Sequence, residues 1–246
     1  MSNAIESSNS NRNWPDTYRQ QAKQAKDARI RDFYNAGCPD ATTPVRDVPL
    51  VALDFETTGL DVNKHSIVSI GLVPFTLGGI QLGEAWHQIV RPQLPLEQDT
   101  VTIHGITHSE IEHAPDLAEV LDPHPEHDTL FQHLKGRIPV VHYRNIERPF
   151  LNMALQWRLK EQLLFPVIDT MAIEAYLHPK RNPGRWQQLM GKKPISIRLP
   201  DSRIRYGLPH YAGHNALIDA IATAELFQAQ VLHHFSPDTP IGDLWV

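Results

Sequence analysis

The sequence predicts a mixed α/β domain, a sheet covered by helices and preceded by an N-terminal helical arm. Three observations carry that expectation. Compact apolar runs of strand length come first, at residues 50–53, 67–74 and 84–90, and stretches of helical length then alternate with one further strand. The chain has 246 residues, 41% hydrophobic and 21% charged, which suits one domain of this class.

In chain order, residues 1–12 are rich in Ser and Asn and read as a mobile tip. Pro15 suits the first turn of a helix, and Trp14, Tyr18, Ala25 and Phe33 recur at near-helical spacing until Gly37 offers a stop. That predicts one helical arm, which either packs on the core or presents a face to a protein partner. Residues 38–47, with Pro39 and Pro44, read as a linker, so the expected division is tip, arm and linker over 1–47 and the main domain over 48–246. Leu50-Val51-Ala52-Leu53 opens the first strand. Residues 65–83 are uncharged over nineteen positions, long enough to raise a membrane span. They contain Pro74, Gly71, Gly78, Gly79 and Gly83, however, and those breakers read as two strands joined at Gly78-Gly79, with no membrane association.

Further along, Thr107-His108-Ser109-Glu110 has the spacing of a capping box, in which hydroxyl and carboxylate each satisfy an orphan backbone N–H, and a short helix is expected there. Residues 117–134 read as helical with an interruption at Asp122-Pro123-His124-Pro125, and 138–142 as a fourth strand. Helices fill 147–159, 170–177 and 215–235.

Composition narrows the function. Lys plus Arg is 23 against 28 for Asp plus Glu, and a formal charge of −5 argues against sequence-blind gripping of duplex DNA. A single cysteine, Cys38, makes no internal disulfide and no Cys-rich zinc site, which fits a reducing cytosol and an inert thiol. The first thirty residues carry Arg12, Arg19, Lys23 and Lys26 with no apolar core, so no secretory signal is read and a cytoplasmic location is expected.

Three clusters of residues can carry chemistry. Asp54 and Glu56 end the first strand and, by strand alternation, project to one face while Phe55 turns to the core. Carboxylates so placed repel unless a cation neutralises them, and hard oxygen ligands suit Mg²⁺ or Mn²⁺. Thr57-Thr58-Gly59 follow, adding two hydroxyls and a permissive turn. In the second cluster, the strand ending at His142 runs through Tyr143, Arg144, Asn145 and Ile146 into a helix opening with Glu147, whose acid can also simply complement the helix dipole. In the third, His214 precedes a long helix containing Asp219. Residues five apart on a helix diverge by roughly 140°, so the two converge only if His214 lies before the first turn.

Together, in this order and on these elements, the three resemble the DEDDh 3′-5′ exonuclease superfamily, the DnaQ-like enzymes that include DNA polymerase III epsilon subunits. Asp54 to Gly59 resembles the first motif, Val141-His142 to Phe150-Leu151 the second and His214 to Asp219 the third. Ile103-His104-Gly105-Ile106-Thr107 resembles the His-Gly-Ile segment of epsilon-type members. The second motif usually reads His-Asn-x-x-Phe-Asp, whereas here Tyr143, Ile146 and Glu147 stand at the last three specified positions, making the acid one methylene longer.

The resemblance implies a ribonuclease H-like mixed sheet of five strands flanked by helices, one edge strand more than the four read above. It implies hydrolysis of the 3′-terminal phosphodiester of single-stranded DNA or short RNA, with two Mg²⁺ or Mn²⁺ ions. Asp54, Glu56, Glu147 and Asp219 would hold the ions, His214 would act as general base, and Thr57, Thr58, Ile103 and His104 would contact the terminal nucleotide. Residues 178–210 hold eight basic residues against one acid, and with Trp186 and Tyr206 interleaved they either track phosphates, through Arg203 and Arg205 among others, or form a solvated loop. A non-catalytic nuclease-fold module that binds nucleic-acid ends, or a polymerase or repair partner, is the alternative function.

Overall fold

Leu50–Thr57 (β1) is buried at seven of its eight positions, and the architecture is arranged around it. The computed structural model describes residues 12–92, 105–121, 129–182, 190–191 and 193–246. On one side β1 pairs antiparallel with Ile67–Thr76 (β2); on the other it pairs parallel with Ile138–Val141 (β5), which pairs parallel with Ile168–Asp169 (β6). The outer edge of β2 is shared by Gly79–Ile80 (β3) and Trp86–Ile89 (β4), both antiparallel, to give a mixed sheet of six strands. The two-residue β6 is the edge strand that sequence pattern missed, and β3 adds a sixth.

The last long helix, Ala216–His234 (α9), lies against β1 and β2 through Ala216, Ala220, Ala224, Phe227 and Val231, a stripe at helical spacing. Small residues let it approach closely, and one glycine sets the limit. Gly71 is the β2 partner of Asp54, and a Cβ added there would lie 2.1 Å from the carbonyl carbon of Ala216 and 2.3 Å from the nitrogen of Leu217. Helix backbone therefore rests on strand backbone beside Asp54. Gly71→Ala is expected to destabilise the protein by about 1–3 kcal/mol, the usual size of overpacking, and to push the start of α9 off the sheet with loss of activity. Gly83→Ala, where an added Cβ meets nothing within 4 Å, is the control in a thermal-melt and rate comparison.

The remaining helices among the described residues are Trp14–Gln24 (α1), Ala28–Asn35 (α2), His108–Glu112 (α3), Leu117–Leu121 (α4), Leu130–Leu134 (α5), Glu147–Leu159 (α6), Thr170–Leu177 (α7) and Leu199–Arg205 (α8). Both hydrogen bonds of the capping box at Thr107 and Glu110 are made. The single expected arm helix is instead two, broken at residues 25–27. Asp27 caps α2, and the Glu161 carboxylate accepts the N–H groups of Lys26 and Asp27 at 3.0 and 2.6 Å, satisfying donors that a continuous helix would have paired internally. Trp14, Tyr18, Ile30, Phe33 and Tyr34 are buried in the same core as the sheet, with Phe33 against Phe131 and Phe165. The linker is likewise tied down, Val45 N–H donating to Thr239 O at 2.9 Å. Burial pushes the Cys38 thiol up to about 12, which keeps it protonated and unreactive. Among the described residues no helix is long and apolar enough to cross a membrane.

Candidate active site

The first carboxylates leave the sheet where β1 ends. Phe55 is buried and Asp54 and Glu56 share the opposite face, as alternation requires. A register shift between Glu56 and Thr57 bends the strand just beyond them, a bulge that re-aims side chains at the mouth of a site. The following turn is self-supporting: Thr57 Oγ1 donates to Gly59 O at 2.9 Å, and Thr58 Oγ1 accepts the Ser66 N–H at 3.0 Å. Both threonines are buried, and these hydroxyl bonds shape the turn.

Asp219 arrives on the first turn of α9. Asn215 caps that helix, its side chain accepting the Ile218 N–H, so His214 lies before the first turn, as convergence requires. His214 has φ +68°, and its N–H donates to Asp219 Oδ2 at 2.9 Å. One carboxylate oxygen from each of Asp54, Glu56 and Asp219 lies within 4.8 Å of the others.

Glu147 comes from the second motif, at the start of α6, and stands beside Asp54 outside that trio. It is buried, and its Oε2 has no hydrogen-bond partner among the described residues. Burial pushes the Asp54 carboxyl well above the usual carboxylate range, with Glu147, Asp219 and Glu56 adding repulsion. Glu147 is raised by burial too, and Asp219 is raised by burial and by Glu56 against the lowering effect of the His214 N–H. The Asp54 carboxylate has no hydrogen bond or ion pair among the described residues. A site that desolvates three carboxylates and leaves a buried oxygen orphaned fits a hard divalent cation, which would return the lost charge balance.

His142 is structural. Its Nδ1 lies 2.8 Å from Thr170 Oγ1, whose hydroxyl donates to Val141 O at 3.0 Å, and burial lowers its pKa to about 4. Arg203 and Arg205 do not reach out as the basic segment suggested. Arg203 is buried, donating to Ala222 O and Pro209 O and pairing with Glu225; Arg205 pairs with the buried Glu174 and donates to Ser202. Tyr206 donates to Glu174 and packs its ring on His233 and His234. These long-range partners, invisible to a local charge count, turn the end of the basic segment into a brace between α7, α8 and α9. Ile103, His104 and Trp186 lie outside the described residues.

Of two further residues that matter here, Asp169 was not singled out from sequence and Gly71 was read only as a breaker. Asp169 precedes an apolar helical run, the signal of an N-cap, and a lone Gly71 inside a strand signals close backbone approach.

A ribonuclease H-like mixed sheet that gathers acidic side chains from three separate segments at its first strand defines a nuclease of the DnaQ exonuclease type. The chain belongs to the RNase_T exonuclease family, whose model matches residues 51–227. It is 29% identical over 187 residues to the DNA polymerase III subunit epsilon of Treponema pallidum, covering 76% of this chain and 78% of that one. It is 30% identical over 181 residues to the PolC-type DNA polymerase III of Thermotoga maritima, covering 74% of this chain but only 12% of that much longer one. Among solved structures it is similar to cell-death related nuclease 4, with TM-score 0.59 and 19% identity over 80% of this chain and 66% of that one. It is also similar to the nuclease domain of 3′hExo, a DEDDh family member bound to rAMP, with TM-score 0.55 and 17% identity over 75% and 91%. The matched span begins after the two arm helices.

Proposed function

We propose that this protein is a metal-dependent 3′-5′ exonuclease that hydrolyses the 3′-terminal phosphodiester of single-stranded DNA or short RNA and releases 5′-mononucleotides. The observation that carries the reading is the convergence of Asp54, Glu56 and Asp219 within 4.8 Å, with the orphaned Glu147 oxygen beside them. The family membership and the likeness to DNA polymerase III chains support it.

Asp54, Glu56, Asp219 and Glu147 would hold two divalent ions, Mg²⁺ or Mn²⁺. Bound there, such ions supply a nucleophilic hydroxide near neutral pH and neutralise charge on the phosphodiester. The chain's own residues do the rest. His214 is exposed, and its backbone is fixed by Asp219, which leaves an imidazole at the rim of the cluster to take the proton of the attacking water. The turn at Thr57 and Thr58 forms the neighbouring wall.

The direct test incubates 5′-labelled DNA and RNA oligomers with Mg²⁺, with Mn²⁺ or with a chelator. A ladder of progressively shortened labelled products, abolished by the chelator, is expected, while a circular single strand stays intact. Cleavage undiminished by the chelator, internal cuts in the circle, or binding without cutting would each overturn the reading. His214→Ala is expected to lower turnover on the order of 10²-fold, the lower range for a general base, while Mn²⁺ binding to the folded protein is unchanged. Turnover at the wild-type level would leave His214 a structural role only, its N–H holding Asp219.

A further inference from the structure

The second motif of this chain departs from its family at Tyr143 as well as at Glu147, and the structure ties the two together. Tyr143 has φ +92°, a conformation costly for any residue with a Cβ and rare for an aromatic one. It occupies the turn that ends β5 and leads to Glu147. What holds the turn there is Asp169, a buried acid at the junction of β6 and α7. Its Oδ1 accepts the Tyr143 N–H at 3.1 Å and its Oδ2 the Arg144 N–H at 3.2 Å, while the Arg144 guanidinium pairs with Oδ2 at 3.4 Å. The same Oδ1 caps α7 through the N–H groups of Met171 and Ala172. One side chain therefore fixes two successive backbone groups of the turn and anchors them to a helix start.

We propose that Asp169 is a positioning residue for Glu147: by holding Tyr143 in its left-handed conformation it aims the Glu147 carboxylate at the acidic cluster. A carboxylate has two acceptor oxygens and no donor, and the turn needs both, which is why an amide cannot replace it. The inference rests on the reading of Glu147 as a metal-holding residue. It also accounts for a strained residue that is not itself one of the four cluster acids, because strain persists only where surrounding structure over-determines it.

Asp169→Asn makes the test. Asparagine is a good helix cap, so α7 keeps its start, but the amide nitrogen placed against the Arg144 N–H sets donor against donor. Mn²⁺ binding, measured by calorimetry on the folded protein, is expected to weaken about 10- to 100-fold, the usual range for a supporting partner of a metal ligand, with kcat falling and KM for an oligonucleotide nearly unchanged. Adding Tyr143→Gly should recover most of the loss, since glycine enters positive φ without strain and no longer needs to be held. A merely structural Asp169 would lower the melting temperature without a metal-binding defect and would not be rescued at residue 143. Tyr143→Val, at an exposed position, adds strain with Asp169 intact and should weaken Mn²⁺ binding several-fold; it carries the test should Asp169→Asn fail to fold. A wild-type protein that neither binds Mn²⁺ nor cuts overturns the functional reading and this inference with it. A wild type that does both, with Asp169→Asn or Tyr143→Val indistinguishable from it in metal binding, overturns the inference alone.

Discussion

Asp54→Asn is expected to abolish hydrolysis while making the metal-free protein more stable. Metal ions that polarise and neutralise a phosphodiester contribute several kcal/mol to the transition state, and at 1.36 kcal/mol per tenfold the loss of a carboxylate central to the cluster amounts to about 10⁴-fold in rate. The stability change has the opposite sign because Asp54 is desolvated and repelled by Glu147, Asp219 and Glu56, which raises its pKa in the folded state. A raised carboxylate binds its proton more tightly folded than unfolded. Its stabilising contribution is therefore complete below the ordinary aspartate value of 3.8 and is lost as pH climbs through the folded value. In chelator, the melting temperature of Asp54→Asn minus that of wild type should be near zero at pH 4 and positive at pH 8. Mn²⁺ should then raise the wild type at pH 8 and narrow the gap, since a ligand that binds only the folded state stabilises it. A wild type indifferent to Mn²⁺ at pH 8, with Asp54→Asn still cutting, would refute the assignment.

The second large effect is expected at Glu147, where glutamine keeps shape and removes charge. The orphaned Oε2 and the raised pKa identify a side chain whose burial outweighs the one backbone hydrogen bond it gains, from its own N–H. If Glu147 holds an ion, Glu147→Gln should lower the rate about 10³-fold, roughly 4 kcal/mol of transition-state stabilisation, without loss of thermal stability. If the acid merely complements the start of α6, the same change should remove about 0.3–1 kcal/mol of stability and leave the rate alone. Rate and melting temperature measured on one preparation separate the two. Glu147→Asp refines the test: Mg²⁺ demands near-ideal octahedral geometry, so a pocket built around the longer acid should retain more activity with Mn²⁺ when the side chain is shortened.

What could be read from sequence was local. The Asp54 and Glu56 alternation, the cap at Thr107 and the helix at 147–159 follow from neighbours within a few residues, and the structure keeps each of them. What escaped was decided by partners far along the chain. The arm breaks at 25–27 because Glu161 waits there, Arg203 turns inward because Glu225 receives it, and Arg205, though exposed, is tied back by Glu174. β6 is too short to show a period, and the grip of Asp169 on Tyr143 joins residues 26 apart through backbone atoms, which leave no trace in side-chain pattern.

The seat of α9 on Gly71 has a consequence for how the sequence can drift. The spacing between Asp54 and Asp219 is set where main chain meets main chain, not by the side chains that fill the core around it. Volume-conserving changes at neighbouring core positions such as Ile70 and Leu72 shift packing but leave that seat in place. Mutational tolerance around the cluster is therefore sharply uneven, with permissive core positions on either side of a residue 71 where any side chain must displace the helix backbone.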